Sequence, residues 1–225
     1  MVSANYISLD TAKNTIITAL EQFDTELARR GVEILFNDNR LNITQVTHAE
    51  TSMMMCRPAG ITMEDLKAAN MYMPSFVQKF GPHFTKQDNP TDHAIIDFEY
   101  DGSPRAIIWL AHELGHAIAD DVQRENGLSF RDFTNTEMEE QAYFVQSIIS
   151  KHLKDSAIDI ALNDDDLGQN TLTMSWERAA QFTNAGNNFH NALSAPVEQR
   201  TELTLNALGK KVNTGVQVTT LPSHS

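Results

Sequence analysis

The 225-residue chain is short of several things, and each shortage removes a class of protein. A single cysteine, Cys56, rules out an internal disulfide, a zinc ribbon and a CxxC redox pair. Ten glycines and seven prolines are too few for a linker or a collagen-like chain. Basic residues number 17 against 30 acidic ones, for a formal charge of -13. So acidic a chain lacks the electrostatic footprint that grips phosphate backbones or anionic membranes, and neither nucleic acid nor membrane is an expected partner. No apolar run approaches the ~18 residues of a membrane span. Residues 1–20 carry Asp10 and Lys13 and lack a basic start followed by an apolar block, so no ordinary signal peptide is read there. The expected location is the cytoplasm, or outside the cell by an export route without a standard signal.

What is present suffices for a packed core. Hydrophobic residues make up 41% and charged ones 21%, close to the globular average, and the length suits one domain. The expected organisation is a single domain over 1–211 and a flexible polar tail over 212–225.

Apolar residues Ile16, Ile17, Leu20, Phe23 and Leu27 recur at helical spacing, which predicts a first helix from an Asp10 N-cap to about Arg30, ending before Gly31. Val32–Phe36 and Leu41–Val46 read as two strands of a hairpin turning at Asn37–Arg40. A helix is expected over Thr62–Phe80 and a strand over His93–Tyr100. Pro104 then opens a helix running to about Val122 and broken at Asn126-Gly127. Another helix is expected from Thr136 to Leu153, and two more between Thr171 and Leu208. Few strands among many helices predict an α+β fold, mostly helical, with a small antiparallel sheet packed by helices.

The chemistry concentrates in His112-Glu113-Leu114-Gly115-His116. Residues four apart share a helical face, so both imidazoles can meet one metal ion. Glu113 projects beside them, where a carboxylate can take a proton from a water activated by that metal. With eight histidines in the chain, chance yields roughly 0.02 such matches. The flanks Ala106–Ala111 and Ala117–Ala119 are apolar, so this helix should be buried. Burying two imidazoles and a carboxylate costs several kcal/mol unless they are paired or hold a metal. Gly115, costly inside a helix by ~1 kcal/mol, reads either as tolerated weakness or as the close approach of another backbone, such as the preceding strand.

A catalytic zinc takes three protein ligands and leaves a fourth position open. The third should come from the next helix, which offers Glu137, Glu139 and Glu140. Setting Met138 at 0°, Ala142, Val145, Ile149 and Leu153 define an inward stripe centred near ~20° at ~100° per residue. Glu139 falls at ~100°, on the edge of that stripe, with Gln146 two turns along; Glu137 lies ~120° from the centre and Glu140 opposite it. Glu139 is therefore the expected ligand, with Glu137 and Glu140 as alternatives that otherwise read as solvated charges. Asp120 reads as a carboxylate supporting a ligand histidine or as an exposed helix end, and Asp121 as plain surface. Asn163–Gly168 lacks the alternation and distant Glu of a calcium loop and reads as a solvated turn.

The stretch Ala94–Ile149 resembles the zincin metallopeptidases whose third ligand is a glutamate. It is most similar to the catalytic core of the thimet oligopeptidase and oligoendopeptidase F family. The matching residues are Ile95-Ile96-Asp97-Phe98, then Leu110-Ala111-His112-Glu113-Leu114-Gly115-His116-Ala117, then Glu139-Glu140-Gln141-Ala142-Tyr143-Phe144. The resemblance selects Glu139 as well, and it implies a zincin-like domain that cleaves peptide bonds. Ala119 stands where those proteins often carry a further histidine, and this chain is much shorter than they are.

The expected protein is thus a zinc metallopeptidase acting on a peptide or protein: His112, His116 and Glu139 hold Zn2+, and Glu113 is the general base. Tyr143, His190 and His93 are candidate donors to the oxyanion, and the strand His93–Tyr100 offers an edge for an extended substrate. A zinc amidohydrolase that does not act on peptides and a zinc-stabilised binding module are the alternatives.

Overall fold

The computed structural model describes residues 6–45, 54–57, 93–128, 132–155 and 184–209. The expected helix over Thr62–Phe80, the Asn163–Gly168 turn and the tail over 212–225 lie outside these residues. So does the start of the helical stretch from Thr171.

Where one N-terminal helix was expected there are two, α1 (Leu9–Phe23) and α2 (Thr25–Leu35). Ser8, two residues ahead of the expected cap Asp10, closes α1 by accepting from the Thr11 amide at 3.1 Å. The break falls at Asp24, whose backbone is extended and whose Oδ1 accepts from the Leu27 amide at 2.8 Å. A buried Asp with a free amide two or three residues on is an N-cap, and it restarts the helix in a new direction. Helix α2 then absorbs Val32–Leu35, which were expected to be a strand. The reason is the spacing of its buried residues: Leu27, Ala28, Gly31, Ile34 and Leu35 fall on one helical face.

The sheet comprises β1 (Leu41–Gln45), β2 (Met54–Arg57) and β3 (Ile95–Tyr100), in the order β1-β3-β2. Strand β3 runs parallel to β1, with Leu41 opposite Ile96, and antiparallel to β2, with Cys56 opposite Ile96. The sheet is therefore mixed, which corrects the expected antiparallel hairpin. A parallel pair needs a connection of about a dozen residues or more, and residues 46–94 separate β1 from β3 in the sequence. Because β3 is flanked on both sides, it offers no edge, and the expected docking of an extended substrate along it is withdrawn.

Among the described residues four helices follow: α3 (Pro104–Glu125), α4 (Asn135–Asp155), α5 (Asn184–Ser194) and α6 (Val197–Gly209). Among the described residues no helix is long and apolar enough to cross a membrane. Ser103 caps α3 through the Ala106 amide at 3.1 Å, Pro104 takes the first turn, and Asn126-Gly127 ends it with Gly127 at φ 70°. Helix α3 is the centre of the molecule, packed by α2, α4, α6 and the sheet. From Ala106 to Gln123 only Trp109 and His116 are partly exposed.

The C-terminal half of α3 is pinned to the sheet by charge. Arg40 donates to both oxygens of Asp121 at 3.0 and 3.2 Å and through Nε to the Ala94 carbonyl at 2.8 Å. His93 Nδ1 lies 2.8 Å from Asp121 Oδ1. Asp120 accepts from the Ala94 amide at 3.1 Å and from Arg124 at 2.7 Å. Asp121 is thus buried instead of surface, and Asp120 fastens a strand instead of orienting a histidine or facing water.

Candidate metal centre

Helices α3 and α4 bring the expected residues together. His112 Nε2 lies 3.3 Å from Glu139 Oε2, and His116 Nε2 lies 3.7 Å from Glu139 Oε1. The two imidazoles stand edge to face, with centroids 4.9 Å apart. One ligand atom from each of the three residues lies within 4.8 Å of the other two. In a tetrahedral site with bonds of about 2.0–2.1 Å, ligand atoms stand about 3.3–3.4 Å apart; the His112–Glu139 separation equals this, and the His116 separation, to the other carboxylate oxygen, is wider. Two imidazole nitrogens and a carboxylate oxygen are also the donor types that zinc accepts.

The electrostatics agree with shared use of one carboxylate. Burial pulls His112 down, yet the hydrogen bond to Glu139 and the charges of Glu113 and Glu139 outweigh it and hold the ring above its ordinary pKa. Burial wins at His116 and keeps that imidazole below its ordinary value, with the Glu139 charge opposing. At Glu139 burial pushes upward, but the hydrogen bond from His112 and the two imidazoles bring the carboxyl below the usual range. A buried charge needs such partners or a metal.

Two local features place these groups. Gly115 sits between the histidines, and a Cβ there would stand 2.7 Å from the Ala142 Cα of α4. Of the two readings of Gly115, close approach of another backbone holds, and its partner is α4, the helix that carries Glu139, and not the preceding strand. Thr134 and Glu137 then start α4 with a reciprocal cap: the Thr134 amide donates to Glu137 Oε2 at 2.6 Å, and the Glu137 amide to Thr134 Oγ1 at 3.3 Å. Glu137 is committed to this capping box, a Thr-x-x-Glu signal that was present in the sequence and missed.

Glu140 is fully buried rather than solvated, because α4 packs against α1 and α5 as well as α3. Neither Glu137 nor Glu140 joins the histidine group among the described residues. Glu113 is buried next to His112 in sequence. Of the oxyanion candidates, Tyr143 lies against His112, with ring centroids 4.7 Å apart. His93 is bound to Asp121 at the sheet, and His190 is exposed on α5. Gln146, whose place on the Glu139 face had been noted, reaches His112 Nδ1 at 3.1 Å.

A separate cavity of about 440 Å³ is lined by Asn126, Asn188, Leu203, Leu205, Asn206 and Gly209 and shares no residue with the histidine group. Its lining has no titratable group, so the chemistry argues for the α3–α4 site over the cavity. Searches of protein-family models, curated proteins and solved structures find no match to this chain. The likeness to the thimet oligopeptidase and oligoendopeptidase F family thus rests on the motif residues alone.

Proposed function

We propose that this protein is a zinc-dependent metallopeptidase of the zincin type, with His112, His116 and Glu139 as the metal ligands and Glu113 as the general base. The observation that carries the reading is the convergence of three donors from two helices, with Glu139 within 3.3 and 3.7 Å of the two imidazoles. Two imidazoles and one carboxylate are also the protein ligand set of known catalytic zinc sites, in which water completes the coordination.

When bound, zinc supplies Lewis acidity, polarising a carbonyl and bringing the pKa of water towards ~7. Glu113 takes one proton from the attacking water onto a carboxylate oxygen as the new C–O bond forms at the peptide carbonyl. It then gives that proton to the leaving nitrogen as the C–N bond breaks, so one water is consumed and an acid and an amine are released. Glu113 is buried in α3, and its charge bears on both His112 and His116.

The test is Glu113→Gln set against the parent on a peptide library, with metal content read by native mass spectrometry. The expected result is one zinc in both proteins and cleavage reduced by about 10²–10⁴-fold in the variant. Cleavage at the parental rate sinks the proposal. A zinc-loaded parent that leaves every peptide intact but hydrolyses small amides transfers it to a non-peptide substrate.

A further inference from the structure

The two helices that carry the donors are joined at a second place besides Gly115 and Ala142. Farther along α3, Gln123 Nε2 donates to Gln141 Oε1 of α4 at 3.0 Å and to the Leu208 carbonyl of α6 at 3.2 Å. Gln141 Nε2 donates to the same carbonyl at 3.4 Å. Both glutamines are buried, 2% and 1% exposed. A buried polar group left without a partner costs about 1–3 kcal/mol, so these amides hold to one another and to Leu208. Leu208 lies in the last turn of α6, where carbonyls have no partner inside their own helix.

The place of this junction gives it a consequence for the metal centre. Gln123 lies eight residues beyond Gly115, about 12 Å along α3. On α4, Gln141 stands between Glu139 and Ala142 in the chain, and on the other side of Ala142 it is Gln146 that meets His112. One close contact at Ala142 leaves α4 able to rock about it. The Gln146 contact restrains one arm, and the Gln141 junction restrains the arm that carries Glu139. The Glu139 oxygens face His112 and His116 at 3.3 and 3.7 Å. A metal ion accepts ligand distances within about 0.2 Å, so even a small rocking of that arm reaches the donor set.

We infer that Gln141, tied to Gln123, is a positioning residue of the metal centre that sets where Glu139 stands opposite the two histidines. The inference rests on the reading of His112, His116 and Glu139 as metal ligands. A packing role alone would put the whole effect of the junction into stability and none into the site.

The experiment uses the full chain, with Zn2+ and Co2+ as probes. Gln141→Met keeps the length of the side chain and removes its hydrogen bonds, while Gln123 retains Leu208 as a partner. Competition with a chromogenic chelator gives the zinc dissociation constant, the visible absorption of bound Co2+ reads the ligand geometry, and urea unfolding reads stability. The expected result for Gln141→Met is a zinc dissociation constant raised about tenfold, with an altered Co2+ spectrum. Asp121→Asn, which loosens the fold from the sheet side, is expected to keep the parental affinity and spectrum. Parental affinity and spectrum in Gln141→Met overturn the inference and leave the junction a role in stability alone. Equal weakening in Asp121→Asn overturns it as well, because general loss of stability then suffices. If Gln141→Met does not fold, the same readings on Gln123→Met decide. A parent that binds neither ion defeats the metal-centre reading and the inference with it, whereas a metal-binding parent matched by Gln141→Met defeats the inference alone.

Discussion

Gly115 of α3 and Ala142 of α4 meet backbone to backbone between the two histidines and the glutamate: a Cβ on Gly115 would stand 2.7 Å from the Ala142 Cα and 3.0 Å from its carbonyl oxygen. This contact sets the distance across which α3 and α4 share the site. Gly115→Ala gains ~1 kcal/mol of helix propensity but overpacks the seam, at a cost of about 1–3 kcal/mol. The obstructing atoms are backbone and cannot rotate away, so the clash wins. Urea denaturation should show a net loss of stability, and zinc should bind more weakly as α4 is pushed off. Ala142→Gly, added second, should not rescue the variant, because the Ala142 Cα and oxygen remain. Full rescue would mean that side-chain crowding, not backbone approach, is the reason for the glycine.

Glu137 and Glu139 stand two residues apart with different partners, and paired substitutions separate them. Glu139→Gln should lose the metal while keeping most of the fold. Glu137→Gln should keep the metal and lose about 1 kcal/mol, the worth of a helix cap, through weaker bonding to the Thr134 amide. Native mass spectrometry with thermal unfolding reads both quantities. Metal loss in Glu137→Gln with retention in Glu139→Gln would exchange their roles.

What was legible in the sequence was local. The His112–His116 spacing, the Pro104 start, the Gly127 stop and the angular position of Glu139 all depend on residues within one or two helical turns, where a 3.6-residue period carries the information. The hairpin reading of Val32–Val46 failed because β1 pairs with β3, a strand far along the chain, and an alternating apolar run does not name its partner. Asp120 and Asp121 were misread for the same reason: the Arg40 that claims Asp121 lies 81 residues away. Glu140 was misread because the angle argument assumed one buried face, whereas α4 is packed on several sides. The break at Asp24 is different, since the capping residue was there to be read.

Arg40 and Asp121 form a buried pair that joins the start of β1 to the end of α3, their side chains 11% and 10% exposed. Removing one partner of such a pair leaves an uncompensated charge and costs about 3–5 kcal/mol. Asp121→Asn should therefore lower the urea midpoint strongly. Replacing both partners with apolar residues of similar size should recover much of the loss, as for other buried pairs. The histidine group lies on another part of α3, so zinc stoichiometry in the folded fraction should be unchanged. A cost near zero for Asp121→Asn would show that His93, which also contacts Asp121, or water compensates Arg40.

The link between α2 and α3 gives a pH dependence with a definite sign. Arg30 donates to both oxygens of Glu125 at 2.8 Å. That hydrogen bonding, together with the Arg30 charge, holds the Glu125 carboxyl below its usual range against a smaller effect of burial. A carboxylate whose pKa is lower folded than unfolded contributes stability above the unfolded value, about 4.3, and loses it as pH falls through the folded value. Glu125 is 58% exposed at its side chain, so solvent screening limits the contribution to below about 1 kcal/mol. Glu125→Gln should thus be slightly less stable than the parent at pH 7, with the difference closing as the pH drops below about 4. Thermal unfolding of both proteins at fixed ionic strength checks this. A gap that stays constant to strongly acid pH would assign the effect to lost packing, not to the charge on Glu125.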